Sequence, residues 1–593
     1  MNSGEIPQPM RSEGRRSLGF AARGVALALV PVLALAAAFP AAAWGAETDN
    51  QSLLERFHAG FASDRLSPPA RTAGQDEPVS DRCGTPLVIE YLSHRGELSA
   101  ATTLIIDQYL SYAEGSDTLV SAGGHFRLSY LDEGDNAVPL EDLDPADGVP
   151  DFVARMAGYL ETAWEVQVRA VGLRAPPTDR PVEVSFRRMH FYGYTVPVDP
   201  AAGTTRLVLH NSFSRFPPND DPDGDAAGAA RVTAAHEFRH AGQYAGSRWS
   251  ETDWTEMDAT WAEERVCDQV NDYHHYLWGD SPVWRPQVPL DGGQSGTGSY
   301  DDAVFEIWLN RRWGDGCIRD YWERRVRAPL EKPMASWKAV LAARGTSLEL
   351  AWADFIGWNY ATGSRSVPGV GYPEAAEYPE SALYAAVFQY PDEVSGEVEH
   401  LAAVPVQLKG FANLGDRLLR LVFDGDDGPG PLALAVCVQT TDGGGYLETV
   451  GLDRHNEATL VLRTPASELR TVGVIVGNGA VSGPTRFWTL AVDLVAGPPS
   501  PPAVNLLGVE PNPCNPATWF TCAMTARAEA TLDIVDARGR LVRRLWTGSL
   551  GPGTHRFHWD GRSDDGRPAP SGVYVARLGA AGSWQGRKLT LVR

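Results

Sequence analysis

Cysteine is scarce in this chain, with six residues in 593. That density excludes a disulfide-stapled scaffold and leaves stability to apolar cores. Basic charge is also in deficit. The 52 Lys and Arg are outnumbered by 75 Asp and Glu, for a formal net charge of -23. This balance argues against nucleic acid and against an anionic membrane surface as partners. Beyond the first 43 residues no run is long and apolar enough to cross a bilayer, so the mature chain is expected to have no membrane span. Hydrophobic content of 43% and charged content of 21% are globular values. The length calls for about three to five domains.

The N-terminus carries an export signal. Arg11, Arg15, Arg16 and Arg23 supply a positive region, Val25 to Ala38 an apolar core, and Ala41-Ala42-Ala43 a small-residue cleavage site. Residues 1–43 therefore read as a signal peptide, with Arg15-Arg16 admitting a twin-arginine route as the alternative. The expected location is secreted or cell surface, reached through the export machinery. Export permits disulfides. Cys514 and Cys522, close in sequence, are the expected pair; Cys437, inside Leu432 to Val438, reads as a buried thiol. Cys83, Cys267 and Cys317 cannot be paired from sequence.

Residues 44–82 form a polar leader or pro-segment. From 83 to 380 helix and strand patterns mix. Helical periodicity covers Thr102 to Tyr112, Asp151 to Val171, Ala226 to Tyr244, Thr255 to Leu277, Ala303 to Trp313 and Ile318 to Val326. Val182 to Phe186 and Arg206 to His210 read as strands. From 383 to 496 short alternating runs separated by Gly/Asp turns, such as Arg417 to Phe423 and Leu432 to Gln439, indicate a β-sandwich. Residues 497–503 are a stiff Pro-rich linker, and 504–593 again show short strands.

The chemistry concentrates in His236-Glu237-Phe238-Arg239-His240. On a helix, positions i and i+4 share a face, so His236 and His240 can hold one zinc ion (Zn2+), with Glu237 placed as general base for its water. A catalytic zinc needs a third protein ligand. Downstream, Trp254 through Glu264 puts several carboxylates on a second helix. Glu256 is the expected third ligand, because Ala259 three positions on lets the helices approach. Glu263, two turns along the same face, is the alternative ligand or a group orienting a ligand imidazole. Glu264 is expected to be a solvated charge. Arg239 is expected to salt-bridge the acidic second helix. Tyr300, opening a helix after a Gly-rich loop, is a candidate for oxyanion stabilisation, with Tyr192 and Tyr194 as alternatives. His274 and His275, adjacent on the second helix, cannot share a face and read as structural or exposed. Calcium (Ca2+) is a secondary expectation at two acidic stretches, Asp142 to Asp151 and Asp220 to Asp225. The first spacing does not fit an EF-type loop, the second lies just before the zinc helix, and solvated acidic turns are the favoured reading of both.

The block from Cys83 to about Val326 resembles a family of secreted bacterial metalloproteases with gluzincin-like sites. The carriers are Cys83-Gly84-Thr85-Pro86, Gly148-Val149-Pro150-Asp151, Tyr192-Gly193-Tyr194, the His236 to His240 motif, and Trp254 through Glu264 with Asn271-Asp272-Tyr273. That family's second motif runs Trp-x-Glu-Gly-x-Ala-x-Trp-x-Glu. Glu256, Ala259, Trp261 and Glu263 match it, while Met257 stands where Gly is usual and crowds the helix contact. Leu143 and Pro145 also depart from the family's acidic loop. The tail from about 504 resembles a flagellar-hook-capping-type Ig-like module, similar to C-terminal sorting domains of secreted bacterial proteins. Pro511-Asn512-Pro513-Cys514-Asn515-Pro516, Val535 to Val542, Trp559-Asp560-Gly561 and Ser571 to Tyr574 carry that likeness. It implies secretion or surface retention.

The expected fold is thus multidomain: an α+β zincin-like metallopeptidase domain followed by two all-β Ig-like sandwiches. The expected function is a secreted zinc-dependent endopeptidase acting on a protein or peptide substrate, with Glu237 as base. The alternative is a catalytically degenerate surface adhesion protein whose β-modules carry the function.

Overall fold

The computed structural model describes residues 42–61, 82–111, 115, 117–251, 254–291, 300–428, 430–496, 504–524, 527–551, 553–580 and 583–593. The signal-peptide reading falls almost wholly outside the described residues, as do the Pro-rich linker and the Gly-rich loop before Tyr300. Among the described residues no helix is long and apolar enough to cross a membrane.

The chain is multidomain, with a helix-rich region followed by several all-β sheets. Three helices come first: α1 (Ala42–Phe61), α2 (Thr85–His94) and α3 (Ala100–Leu110). A five-stranded mixed sheet follows, from β1 (Asp117–Val120), β2 (Phe126–Tyr130), β3 (Val182–Arg187), β4 (Gly193–Asp199) and β5 (Thr204–His210), in the order β1-β2-β3-β5-β4. β2, β3 and β5 run parallel, and β4 closes one edge antiparallel to β5. Both faces of the sheet are covered, as parallel strands require. Period-two alternation assigns the faces. Leu207 and Leu209 join the core beneath α4 (Asp151–Trp164) and α5 (Asp225–Ser247). Val208 and Tyr194 join a second core with Leu53 and Phe57 of α1, Val88 of α2 and Ile106 of α3.

Two helices differ from their sequence patterns. The segment after Trp164 continues as a π-helical turn, Glu165–Ala170, which lets buried Gln167 donate to the Ala235 carbonyl of α5 at 2.8 Å. The predicted helix from Thr255 to Leu277 is two elements. α6 spans Trp254–Val266, Asn271 adopts a left-handed conformation, and a 3-10 turn covers Asp272–Tyr276. Apolar periodicity persists across that break because both pieces face one core, so the pattern alone hid it.

α7 (Ala303–Trp313), α8 (Asp315–Arg327), α9 (Pro333–Ala342) and α10 (Leu348–Tyr360) build a tryptophan-rich core. That core is continuous with the next sheet through Ala403, Ala433, Ala435, Cys437 and Ile475. Gly473 and Gly477 make the contact close: a Cβ at Gly473 would fall 2.1 Å from the Tyr360 ring, and one at Gly477 would fall 2.6 Å from Ile356 Cδ1. The strands from β6 (Ala385–Val387), β7 (Asp392–Val398), β8 (Ala402–Leu408), β9 (Leu418–Gly425), β10 (Ala433–Thr440), β11 (Gly445–Thr449), β12 (Glu457–Pro465), β13 (Leu469–Asn478) and β14 (Arg486–Val495) form two facing sheets, β11-β10-β13-β8-β6 and β12-β9-β14-β7. The last module repeats the plan with β15 (Val504–Glu510), β16 (Thr518–Met524), β17 (Ala528–Asp536), β18 (Leu541–Leu550), β19 (Gly553–Trp559), β20 (Gly572–Ala580) and β21 (Ser583–Leu591), arranged β15-β16-β19 against β18-β17-β20-β21.

All six cysteines are buried and unbridged. This corrects the expected Cys514–Cys522 pair. Cys514 runs beside Leu591 of β21, whereas Cys522 pairs across Leu506 and His555 in the other sheet. Closeness in sequence does not survive the division of the strands between two sheets.

Trp352 is fully buried where α10 meets β13, and its indole donates to Ala402 O at 3.2 Å. Trp352→Ala should cost about 3–5 kcal/mol. Calorimetry should show the helical region and first sandwich melting earlier as one transition, with the last module's transition unmoved. Separate melting of helices and sandwich would refute the shared core.

Candidate metal centre

α5 is buried along nearly its whole length, from Val232 through Tyr244. Small residues make this possible. Ala229, Ala230, Ala234, Ala235 and Ala241 let α4, α6 and the sheet approach its backbone. Gly193 plays the matching part on β4, because a Cβ there would lie 2.8 Å from Glu237 Cγ. The helix therefore presents His236 and His240 to α6 and Glu237 to the sheet edge.

The two imidazoles meet one carboxylate. His236 Nε2 lies 3.0 Å from His240 Nε2. Glu256 Oε2 lies 3.1 Å from His236 Nε2, and Glu256 Oε1 lies 3.1 Å from His240 Nε2. The outer nitrogens are already engaged. His236 Nδ1 meets Glu263 Oε1 at 2.6 Å, and His240 Nδ1 meets Gln243 Oε1 at 2.8 Å. Gln243 is oriented by its own donations to Thr255 O and Asp258 Oδ2, so its oxygen must face His240. Carboxylate and amide oxygens are acceptors, so each Nδ1 serves as a donor and each Nε2 faces the cluster. Glu256 Oε1, buried beside them, makes no hydrogen bond. Atoms this close are satisfied by a shared proton or by a bound cation. Their 3.0–3.1 Å separations approach the about 3.3 Å edge of a tetrahedron of donors about 2.0–2.1 Å from zinc. Burial pushes the Glu256 carboxyl up, but His240 and His236 outweigh it and hold the group below its ordinary range.

On the other side stands Glu237. Its Oε2 accepts from Thr195 Oγ1 at 2.7 Å and Thr85 Oγ1 at 3.3 Å, and its Oε1 accepts from Cys83 Sγ at 3.2 Å. Cys83 Sγ is also 3.4 Å from His240 Nε2. Burial, with Glu237 and Glu256 nearby, pushes this thiol well up, so among protein groups alone it stays S–H. Tyr300 closes the far wall. Its ring stacks on His236 with centroids 6.0 Å apart, and its hydroxyl accepts from the Cys83 amide at 3.2 Å. Burial first, then Glu256, raises its phenol well above the usual value.

Behind the helices, Arg239 pairs with Asp258 at 2.5 Å and covers the Trp322 ring at 4.5 Å. Asp258 also accepts from Trp322 Nε1 at 2.6 Å. The expected bridge from Arg239 to the second helix is present, and it pins α5 to α6 out of the metal face.

Of the sequence candidates, His236, Glu237, His240, Glu256, Glu263 and Tyr300 converge. Tyr192 and Tyr194 do not. Tyr192 packs on Phe216 with centroids 3.9 Å apart, and Tyr194 is buried in the core under α1. His274 is pushed down to about 4 by burial, on the 3-10 turn rather than on α6. Glu264 corrects its expectation: it is buried beside Arg311, not solvated. Met257 does not push the helices apart; it packs into the tryptophan-rich core while Glu256 reaches both imidazoles. In the acidic turns the carboxylates serve the protein itself. Asp142 accepts from the amides of Asp147 and Gly148, and Asp221 pairs with Arg231 at 2.9 Å. Cys83, Thr85, Thr195 and Gln243 carried no chemical role in the sequence reading. Cys83 lies 157 residues before His240, whereas Gln243 sits on the same helix three residues after it. The one visible signal was Cys83-Gly84-Thr85-Pro86, noted only as a likeness.

Known proteins resemble this chain mainly at its end. The FlgD Ig-like domain family matches residues 517–583. The basal-body rod modification protein FlgD of Salmonella typhimurium is 38% identical over 75 residues, 12% of this chain and 32% of that protein. Its Escherichia coli counterpart is 39% identical over 56 residues, 9% of this chain and 24% of that protein. The chain therefore spans about a third or less of these relatives. Among solved structures, dimeric latent PorU from Porphyromonas gingivalis is 14% identical with a TM-score of 0.15, covering 29% of this chain and 18% of that one. The last module is an Ig-like domain.

Glu264 offers a test of the packing behind the site. Burial first, then Asp268, pushes its carboxyl up to about 9. Between the ordinary value of about 4.3 and that raised value the folded chain holds the proton that the unfolded chain has lost, so rising pH costs stability. Denaturant titrations should show stability falling across this window, and Glu264→Gln should flatten the fall. An unchanged slope in the variant would assign the pH dependence elsewhere.

Proposed function

We propose that this chain is an exported zinc-dependent endopeptidase with a zincin-like α+β domain over residues 83–380. The observation that carries the reading is the convergence of the His236 and His240 Nε2 atoms on one buried carboxylate, with both outer ring nitrogens already engaged. His236, His240 and Glu256 would hold the metal. Glu263 and Gln243 would orient the two rings, which is the usual support for ligand imidazoles. Bound zinc would supply Lewis acidity and lower the pKa of a coordinated water toward neutrality.

The remaining work falls to the chain itself. Glu237, one residue after the first ligand, takes the water's proton at Oε1 and passes it to the departing amine. Thr195 and Thr85 steady the other oxygen. Tyr300 keeps its proton and so can donate to the oxygen that gains charge. β4 is the sheet edge beside Glu237, and an extended peptide can add to such an edge through main-chain hydrogen bonds. That geometry favours peptide over small-molecule substrates. The Ig-like tail, like the sorting modules it resembles, would serve secretion or surface retention.

Glu237→Gln should keep one zinc per chain yet lose roughly 100–10,000-fold in casein turnover against the otherwise identical chain, the usual weight of a positioned base. Bound zinc with turnover indifferent to this change would favour the adhesion-protein reading instead. In competition titrations with a chelator, Glu256→Gln should abolish stoichiometric zinc, whereas Glu263→Gln should weaken it about 10–100-fold. The reverse ranking would exchange their roles.

A further inference from the structure

The fourth side of the donor cluster is taken by a residue from outside both helices. Cys83 Sγ, His236, His240 and Glu256 offer donor atoms that all lie within 4.8 Å of one another, and all four residues are buried. The sulfur is 3.4 Å from His240 Nε2, close to the about 3.6 Å edge expected between a nitrogen at about 2.05 Å and a thiolate at about 2.3 Å from one zinc ion. It is also 3.2 Å from Glu237 Oε1. A catalytic zinc leaves its fourth position to water, and the base must reach that water. The thiol stands where both conditions meet.

Its placement is built, not incidental. Residues 82–84 lie along the free edge of the mixed sheet. The Tyr192 amide donates to Arg82 O at 2.7 Å, and the Gly84 amide donates to Gly193 O at 2.9 Å. Cys83 forms a parallel bridge with Gly193. Arg82 is buried in an ion pair with Asp272, between the rings of Tyr192 and Tyr276 at 5.0 and 4.7 Å. The Cys83 amide is fixed on Tyr300 and the Thr85 hydroxyl on Glu237. Every group assigned to substrate or water is thus engaged by this one tripeptide and its neighbour. The flanking helices belong with it: α1, α2 and α3 pack on one another through Phe57, Phe61, Tyr91 and Tyr109 and share a core with Tyr194, Val208 and Tyr244 on the sheet and α5.

We propose that Cys83 is an internal fourth ligand that holds the metal centre closed until its sulfur is displaced. This rests on the zinc reading above and adds its regulation. On closing, the Cys83 S–H bond breaks and its proton passes through Glu237 to solvent, while the sulfur lone pair binds the metal; a coordinating thiol is deprotonated outright. On opening, water replaces the sulfur, and the thiol recovers a proton. No oxidation is involved. The latent form is the described chain, and release of the Cys83 sulfur yields the open one.

Cobalt substitution separates this proposal from the function beneath it. Full-length protein loaded with one cobalt(II) should show a thiolate-to-metal charge-transfer absorption in the near ultraviolet, and Cys83→Ala and Cys83→Ser should lose that absorption while retaining one cobalt. With zinc, both variants should cleave a quenched peptide library roughly 100-fold faster than wild type, the change for a switch that leaves about 1% of molecules open. Adding Glu237→Gln to either should abolish the gain. An absorption absent from wild type, or retained in both variants, overturns the ligand assignment. Equal turnover in wild type and variants overturns latency. If neither variant turns over peptide while the absorption behaves as expected, Cys83 stands as a ligand and the endopeptidase reading falls. If no cobalt binds to any form, the metal site itself falls.

Discussion

Two imidazole nitrogens 3.0 Å apart, each 3.1 Å from one oxygen of the same carboxylate inside a pair of buried helices, are the constraint on which the rest of this molecule depends. With no proton or cation shared among them, they would repel. Glu263 and Gln243 remove the easy escape by claiming a proton on each ring, and Arg239 with Asp258 removes the other by fastening the helices together. The surroundings follow from the need to hold that arrangement. α5 is alanine-rich because everything must come close to it, and Gly193 lacks a side chain because Glu237 fills the space.

Burial makes the arrangement consequential. Imidazoles and carboxylates in water would be solvated separately and would turn apart. Here the tryptophan-rich core of α6 to α10 backs one side and the mixed sheet the other. A low-dielectric site strengthens each charge interaction and raises the cost of leaving one unmet. Arg239 illustrates this: its guanidinium, buried at the helix interface, is satisfied by Asp258 and by the Trp322 face. The first sandwich takes part too, since α10 lies in the glycine-lined surface of β13 and carries the helical core onto it. The last module shares no such core, and its kinship to a flagellar Ig-like domain concerns that module alone.

Much of the local structure was legible in the sequence. α7 runs from Ala303 to Trp313 and β10 from Ala433 to Thr440, each within a residue of the runs that predicted it. These elements have one buried face or a fully buried run, so their periodicity is strong. α6 was overextended, because apolar spacing continued past a left-handed Asn271 into a turn facing the same core. The Cys514–Cys522 bridge failed because two neighbouring cysteines were sent to different sheets. Glu264 failed for a similar reason: a carboxylate on an acidic helix looks solvated until tertiary packing covers it.

By itself, the sequence determined which residues share a helical face. The i, i+4 spacing of His236 and His240 and the two-turn spacing of Glu256 and Glu263 follow from backbone geometry alone, and no distant contact can alter them. It also determined that the second half would be β-structure, through alternation that only a pleated sheet can bury. Only the tertiary structure decided what completes the site. Thr85, Thr195, Tyr300 and above all Cys83 come from a helix start, a strand, a 3-10 turn and a loop, and no periodicity links them. Sheet-edge pairing at Gly193 and the buried Arg82–Asp272 ion pair bring Cys83 to its place. Those are contacts between segments far apart in the chain, and their geometry exists only once the cores on both faces of the sheet have closed.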